Sequence, residues 1–225
     1  MAGETTLEFV PGKGEPLICG LELSAEDPDR ITAITPEDVL RSLKLDRAEV
    51  VTLPEQWIFK LDAEDKGVKG RWADPALDVS DWKPIRTDKD KGWNGQGFDN
   101  PTPAYGWYRI KLPLTKKQLE GKKHLYLHFG AADEDAYVYL NGRMIFEHSG
   151  ATTGLPIEDI WTTPFSVPLK SDFNRNGENW LVVRVRNTSG MGGLWKPVHV
   201  VLNDKELSPG QLKKLFKIRG WPGSG

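Results

Sequence analysis

The chain has 225 residues, with 30 Lys and Arg against 32 Asp and Glu, a formal net charge of -2 and nine tryptophans. This balance lacks the basic footprint that binds nucleic acid or an anionic membrane surface, so neither is expected as a partner. The apolar runs are far shorter than the roughly 20 residues that cross a bilayer, and we expect no leader peptide within the chain. The single Cys19 excludes an internal disulfide framework and a multi-cysteine zinc site.

The first 53 residues carry little periodicity and are predicted to form a lead-in that packs on the domain behind it. One short helix is expected there, because Thr35 supplies a capping hydroxyl and Pro36 suits the first helical position. Leu40 and Leu43 then belong to the apolar stripe of that helix.

From Trp57 the apolar positions recur at every second residue, which is typical of a half-buried strand. Residues 62–106 show no regular period, and we expect turns and aromatic anchors such as Trp82 to order them. Seven later segments alternate and are rich in residues that favour strands: Trp107–Leu112, Leu125–Phe129, Ala136–Leu140, Arg143–Phe146, Phe165–Leu169, Leu181–Val185 and Val198–Leu202.

The clearest local signal is a hairpin centred on Asn141-Gly142, since Asn-Gly supplies the positive φ angles of a type I′ turn between alternating strands. Many short strands separated by turns are typical of an antiparallel sandwich. We therefore predict an all-β jelly roll over residues 54–204 with short peripheral helices. A tail at 205–225 is expected to hold a short helix near Ser208–Ile218 and then a linker.

Several stretches in the predicted sandwich carry a resemblance to a known family. They read WIFKLD at 57–62, DVSDWKPI at 78–85, GWYR at 106–109, GAADEDAYVYLNG at 130–142, HSG at 148–150, PF at 164–165, GENWLVVRV at 177–185 and GLWKPV at 193–198. In this order they resemble the galactose-binding-domain-like jelly roll, specifically the sugar-binding sandwich of family 2 glycoside hydrolases and related β-galactosidases. The resemblance covers residues 57–202.

The resemblance implies a non-catalytic domain, because those enzymes keep their catalytic acids in a separate barrel domain. It implies an oligo- or polysaccharide as ligand and an adjoining catalytic domain as a partner. In the β-galactosidases the loop that matches Thr188–Gly193 can present an acid to the substrate, and this sequence has no acid there. Many jelly rolls of this type hold a structural calcium ion, whereas the residues themselves predict no cofactor and no metal site.

Other polar residues are expected to have structural roles. His124 and His128 lie four residues apart, a zinc-binding spacing on a helix, but their segment alternates as a strand and offers no zinc pair. Arg109 is expected to be a buried salt-bridge partner of Asp133 or Glu134, because a buried guanidinium must be paired.

The candidate ligand site follows from how proteins recognise sugars, with aromatic faces on C–H patches and polar groups on hydroxyls. Strand or edge packing explains four of the nine tryptophans, and of the five in loops or the tail only two lie beside suitable polar groups. His148, followed by Ser149 without a nucleophile elbow, is expected to line a polar cleft. The predicted site residues, at one end of the sandwich, are Trp93, Asp133, Glu134, His148, Asn187 and Trp195.

The preferred hypothesis is a non-catalytic carbohydrate-binding module, accessory to a polysaccharide-active protein and secreted or periplasmic. One alternative is a small glycoside hydrolase or other carbohydrate-active enzyme in which Glu134 or Asp133 acts with His148. Two acids would then have to flank the sugar about 5 to 10 Å apart. A second alternative is a structural or protein-interaction domain.

Overall fold

A computed structural model describes residues 35–88, 92–99 and 101–219 of the chain. The predicted lead-in up to residue 34 and the predicted linker after residue 219 lie outside the described residues. Contacts divide the chain after Thr35, and the unit that begins at Pro36 holds every helix and strand given below.

Strands predominate over short helices in the described residues. The strands are β1 (Glu49–Thr52), β2 (Gln56–Asp62), β3 (Lys83–Arg86), β4 (Ala104–Lys111), β5 (His124–Phe129), β6 (Ala132–Asp133), β7 (Asp135–Leu140), β8 (Arg143–His148), β9 (Phe165–Leu169), β10 (Trp180–Asn187), β11 (Gly193–Leu194) and β12 (Val198–Asn203). The α-helices are α1 (Pro36–Ser42), α2 (Lys116–Leu119), α3 (Gly150–Thr153), α4 (Ile157–Ile160) and α5 (Pro209–Arg219).

Two antiparallel sheets face each other. The smaller sheet has the order β1-β12-β5-β9, and the larger has the order β3-β2-β4-β10-β7-β8. Strands β11 and β6 form a separate two-stranded ribbon that contacts β10 of the larger sheet. The predicted all-β antiparallel sandwich with short helices is therefore confirmed.

Local signals in the sequence act as expected at both ends of the sandwich. Helix α1 begins at Pro36, and the hairpin between β7 and β8 turns through Asn141 and Gly142 at φ angles of 51° and 86°. Both α1 and β1 lie within the predicted lead-in, and Glu49 of β1 pairs with Leu202 of β12. The sheet thus begins before the predicted boundary at residue 54.

The main core fills the space between the two sheets. Phe59 and Tyr108 from the larger sheet, and Leu127 from the smaller one, are fully buried there. Alternate positions of the same strands face outward, which is the period-two pattern that the sequence showed. Helix α5 covers the outer face of the smaller sheet, with Leu215 and Phe216 in one cluster with Tyr126 and Val201.

A long loop at residues 63–82 covers part of the outer face of the larger sheet, where Trp82 and Trp107 are buried. As expected, aromatic anchors order this loop, but two buried polar side chains also hold it. The Asp62 carboxylate accepts hydrogen bonds from the backbone N–H groups of Lys66 and Gly67, at 2.7 and 2.8 Å, and from the Trp107 indole at 3.0 Å.

Arg109 is the second of these polar anchors, and its predicted pairing with Asp133 or Glu134 is wrong. Its guanidinium donates to the backbone carbonyls of Asp74 and Pro75, both at 2.7 Å, and lies 4.5 Å from the Trp180 ring centre. Two carbonyl dipoles, an aromatic face and the charge of Asp74 therefore compensate this buried charge. Burial lowers the pKa of Arg109 from its ordinary value.

Two edge strands of the sandwich carry a proline in mid-strand. Pro84 lies in β3 at one edge of the larger sheet, and Pro168 lies in β9 at one edge of the smaller sheet. Proline has no backbone N–H to give to a ladder, so edge strands are where a sheet tolerates it.

Candidate functional site

The segment from Ala132 to Asp135 organises one end of the sandwich. Its first part, β6, pairs with β11 so that Asp133 lies opposite Gly193 and Ala132 lies opposite Leu194. Its second part begins β7, where the Asp135 carboxylate accepts a hydrogen bond from the N–H of Gly150 at 3.1 Å. This segment therefore brings the loop at 187–195 and the start of α3 to the same end.

Glu134 is buried and holds the loop at 187–195. Its carboxylate accepts hydrogen bonds from the Thr188 backbone N–H at 3.1 Å and hydroxyl at 2.5 Å, with the Ser189 hydroxyl at 3.5 Å. A carboxylate held by several donors in this way is a fixed acceptor. Glu134 therefore fixes the shape of the site and presents no unengaged carboxylate to a ligand.

Asp133 differs from its neighbour because its side chain is only half-buried. Burial first, and then the charge of Glu134, raise the pKa of Asp133 to about 7. A carboxyl group that titrates near neutrality is able to donate a hydrogen bond to a ligand oxygen or to exchange a proton with it.

Trp93 is wrongly predicted as a ligand-stacking residue, because its side chain is 0% exposed. Its ring packs 5.8 Å from that of Phe59, and its backbone N–H donates to the carbonyl of Gly192 at 2.9 Å. Gly106 makes the room, since a Cβ there would come within 2.6 Å of both rings. Trp93 thus ties its loop to the core and to the site loop.

His148 and Asn187 are also buried, so neither lines an open cleft as expected. The His148 ring stacks on Phe165 with 4.1 Å between ring centres. Burial lowers its pKa to about 4, against opposing effects of the Asp135 charge and the Ile160 carbonyl. The Asn187 side chain accepts from the Ser189 N–H at 3.3 Å and donates to the Gly190 carbonyl at 3.4 Å, which shapes the loop.

Trp195 keeps an accessible face and has a partner that the sequence analysis did not select. Its indole N–H donates to the backbone carbonyl of Trp161 at 3.1 Å, and the two rings lie 5.6 Å apart at 32°. Trp161 is 39% exposed, and the Lys196 ammonium lies 4.5 Å from the centre of the Trp195 ring. No periodicity links positions 161 and 195, so only the fold reveals this pair.

The loop end is therefore a frame of buried residues around a few accessible ones. Trp93, Glu134, His148 and Asn187 set the backbone, whereas Asp133, Trp161 and Trp195 keep surface that a ligand can touch. Ring faces beside an ammonium group, with a carboxyl group at the same loop end, suit a ligand with apolar C–H patches and hydroxyls.

Two cavities are lined by residues other than the site residues named above. One, of about 680 Å³, lies between α5 and β9 and is lined largely by apolar residues that include Phe165, Pro168 and Phe216. The other, of about 320 Å³, lies under the loop at 63–82. Within the described ranges, no three His, Cys, Asp or Glu side chains form a metal-binding group, and no described helix is long and apolar enough to span a membrane.

No protein family and no curated protein matches the sequence, but solved structures of β-glucuronidases share its fold. The Ruminococcus gnavus enzyme in complex with D-glucuronic acid matches with a TM-score of 0.56 and 16% identity, over 70% of this chain and 30% of that one. An uncultured Clostridium enzyme matches with a TM-score of 0.58 and 21% identity, over 72% of this chain and 30% of that one. The Lactobacillus rhamnosus enzyme matches with a TM-score of 0.55 and 20% identity, over 70% of this chain and 29% of that one.

The similarity confirms the predicted resemblance at the level of the fold. The described unit has the sandwich architecture found in these enzymes, and the chain spans about three tenths of their length. At 16 to 21% identity, the similarity shows a shared fold and does not show a shared ligand or activity.

Proposed function

We propose that this chain is a non-catalytic carbohydrate-binding module that serves a polysaccharide-active protein outside the cytoplasm. The observation that carries the proposal is the pair of neighbouring, partly exposed indoles of Trp161 and Trp195 at the loop end. A sugar ring placed on them has the Asp133 carboxyl and the Lys196 ammonium as polar groups of the same loop end. The sandwich fold shared with β-glucuronidases supports a carbohydrate ligand and a neighbouring catalytic domain.

The test is affinity electrophoresis on gels that contain different neutral and acidic polysaccharides. The wild-type protein is expected to be retarded on at least one of them. Trp195→Ala is expected to weaken that binding about tenfold, because one aromatic contact is worth roughly 1 kcal/mol or more. Met144→Ala, which removes another exposed apolar side chain far from the loop end, is the matched control and should bind as the wild type does.

The proposal would be abandoned if no polysaccharide retarded the protein, or if Trp195→Ala and Trp161→Ala both bound every retarding polysaccharide as well as Met144→Ala does. Circular dichroism of each variant separates lost binding from lost folding.

A second candidate function is glycoside cleavage, and the raised pKa of Asp133 favours it. A carboxyl group with a pKa near 7 is a suitable general acid for a leaving oxygen. Against it, the neighbouring Glu134 carboxylate is already engaged by Thr188. Hydrolysis of chromogenic glycosides that Asp133→Asn or Glu134→Gln abolishes without unfolding the protein would establish an enzyme in place of a binding module.

A further inference from the structure

The 320 Å³ cavity lies on the outer face of the larger sheet, at the opposite end of β7 from the loop-end site. Its walls include Tyr139, near the end of β7, and Arg143, at the start of β8. The loop-end site adjoins the start of β7 at Asp135. Because β7 has six residues, about 17 Å of strand separates the two places. One monosaccharide cannot touch both.

The cavity has a fixed frame. Asp62 holds one end of the loop at 63–82 against the Trp107 indole, and Arg109 holds the Asp74 and Pro75 carbonyls. Gly67 lets the loop approach closely, because a Cβ there would meet the Trp107 ring at 2.4 Å. The loop is therefore anchored by buried polar groups before any ligand arrives, which lowers the ordering cost of binding.

Three aromatic rings form one wall of the cavity. Trp107 is the buried floor, and the half-buried rings of Trp72 and Tyr139 lie 5.9 and 5.6 Å from it. Trp72 meets Trp107 nearly edge to face, at 65°. Such a wall offers apolar ring surface to the C–H face of a sugar.

The rim of the cavity carries two arginines. The side chains of Arg71 and Arg143 are 80% and 79% exposed there, and Asp74 is the single acid among the described lining residues. Arg71 pairs with Asp74 at 2.8 Å, and Arg143 pairs with Asp172, which lies outside the lining, at 3.0 Å. Exposed pairs of this kind are weak, so both guanidinium groups remain open to a competing carboxylate.

We propose that this cavity is a second carbohydrate site, and that it binds the uronate ring of an acidic glycan. The sugar ring packs on Trp72 and Tyr139, and its carboxylate binds the guanidinium groups of Arg71 and Arg143. The inference shares its ligand class with the proposed function but uses none of the loop-end residues. A protein with both sites would hold one acidic polysaccharide at two points, which multiplies the affinity of each.

The test is an NMR titration with methyl β-D-glucuronide, with methyl β-D-glucoside as the neutral arm. The assigned indole N–H signal of Trp72 reports on this cavity, and those of Trp161 and Trp195 report on the loop end. The glucuronide is expected to shift the Trp72 signal at concentrations about tenfold lower than the glucoside does, because a hydrogen bond to a charged group is worth roughly 1.5 kcal/mol.

Arg71→Gln with Arg143→Gln is expected to remove this preference for the glucuronide while the shift by the glucoside remains. The matched control is Arg41→Gln with Arg47→Gln, which removes two similarly exposed arginines, each paired with an acid on another part of the surface. Tyr139→Phe keeps the ring wall and should keep the preference.

An unshifted Trp72 signal, or equal binding of the two glycosides, would overturn the second site even if Trp161 and Trp195 respond and the proposed function stands. Conversely, a Trp72 response with an unresponsive loop end would support this inference and count against the proposed loop-end site.

Discussion

Asp133 and Glu134 are neighbours in the chain, but their carboxyl groups are in different environments. Glu134 is surrounded by the donors of Thr188 and Ser189, whereas burial and the charge of Glu134 act on Asp133 without a comparable set of donors in the described residues. Asp133 ends β6 and Glu134 lies in the break between β6 and β7, so adjacent acids in one motif acquire separate roles.

The raised pKa of Asp133 predicts that its ionisation opposes folding. Because the folded pKa, about 7, lies above the ordinary value of 3.8, the folded state binds the proton more tightly. The protonated carboxyl group of Asp133 therefore stabilises the folded state fully below about pH 4, and this stabilisation is lost as the pH rises through 7. A shift of this size would be worth about 4 kcal/mol at full burial, and partial exposure reduces it to roughly 1 to 2 kcal/mol.

Asp133→Asn is therefore expected to raise the free energy of unfolding at pH 8 by that amount and to have little effect at pH 4, measured by urea denaturation. Asp46→Asn changes an exposed acid and is the control. Equal stability of Asp133→Asn and the wild type at pH 8 would show that Asp133 is not destabilised by its surroundings.

At the residue scale the sequence predicts which side chains gather at one end, but not which of them stay accessible. Trp93 lies in a loop between polar residues and was predicted to stack on a ligand, although its ring is buried against Phe59. The residues that make room for the buried ring are far from Trp93 in the sequence. Gly106 and Gly193 both lack the Cβ that would occupy the space of the ring. Such complementarity between distant positions has no period in the sequence.

The β7–β8 hairpin shows how a two-residue turn serves more than its own strands. Asn141 adopts a φ of 51°, donates through its side-chain amide to the Asp172 carbonyl at 2.8 Å, and accepts from the Trp180 N–H at 2.8 Å. The turn thus connects to the start of β10 and to the segment before it.

Asn141→Ala is expected to lower the free energy of unfolding by about 2 to 3 kcal/mol. The left-handed conformation costs alanine roughly 1 kcal/mol or more, and the three hydrogen bonds of the Asn141 side chain, with Asp172, Asn179 and Trp180, are lost as well. Chemical denaturation measures the change. Arg143→Ala, two residues later on the exposed side of the hairpin, should cost less than about 0.5 kcal/mol. Similar costs for both variants would contradict this role of the Asn141 side chain.

At the element scale, alternation and turn residues predicted the strands well, because the period of two is a local property of the chain. The loop at 63–82 was predicted only as an irregular segment with aromatic anchors. Its polar anchors, Asp62 and Arg109, lie in strands and act on backbone groups of the loop, and a sequence pattern does not encode backbone partners.

At the scale of the molecule, the described unit is built in more layers than a two-sheet sandwich. Helix α5 covers the smaller sheet, and its Phe216 stacks on His128 with 3.5 Å between ring centres and lies 5.2 Å from His199. Burial lowers the pKa of His128 to about 3, with a smaller effect of His199, and lowers that of His199 to about 4. Both rings are neutral in the folded protein near neutral pH.

These histidines predict a loss of stability in acid. In the unfolded chain these histidines take up a proton near pH 6.5, whereas in the folded protein they do so only at about pH 3 to 4. The free energy of unfolding therefore falls as the pH decreases from 6.5. The double variant His128→Asn, His199→Asn retains an acceptor at each position. It is expected to take up fewer protons on unfolding, by up to two, so its free energy of unfolding depends less on pH. Urea denaturation at pH 7, 6 and 5 measures the difference. Asp133 acts in the opposite direction over part of this range. Parallel curves for variant and wild type would refute the prediction.

At the scale of the molecule the sequence predicted the sandwich and the tail helix but not what the helix covers. The apolar positions Leu212, Leu215 and Phe216 showed that α5 has a buried face. Its partner, the outer face of the smaller sheet, carries His128 and His199, polar residues whose burial no pattern in the sequence indicates. Layer order is a tertiary property that depends on chain length between elements as well as on pattern.

The prolines in β3 and β9 bear on how the protein behaves at high concentration. A free sheet edge is a template on which another chain can add a strand, and that addition needs an unbroken row of N–H donors. Pro84 and Pro168 interrupt that row in mid-strand. The protein thus carries protection against edge-to-edge aggregation at two borders of its sandwich.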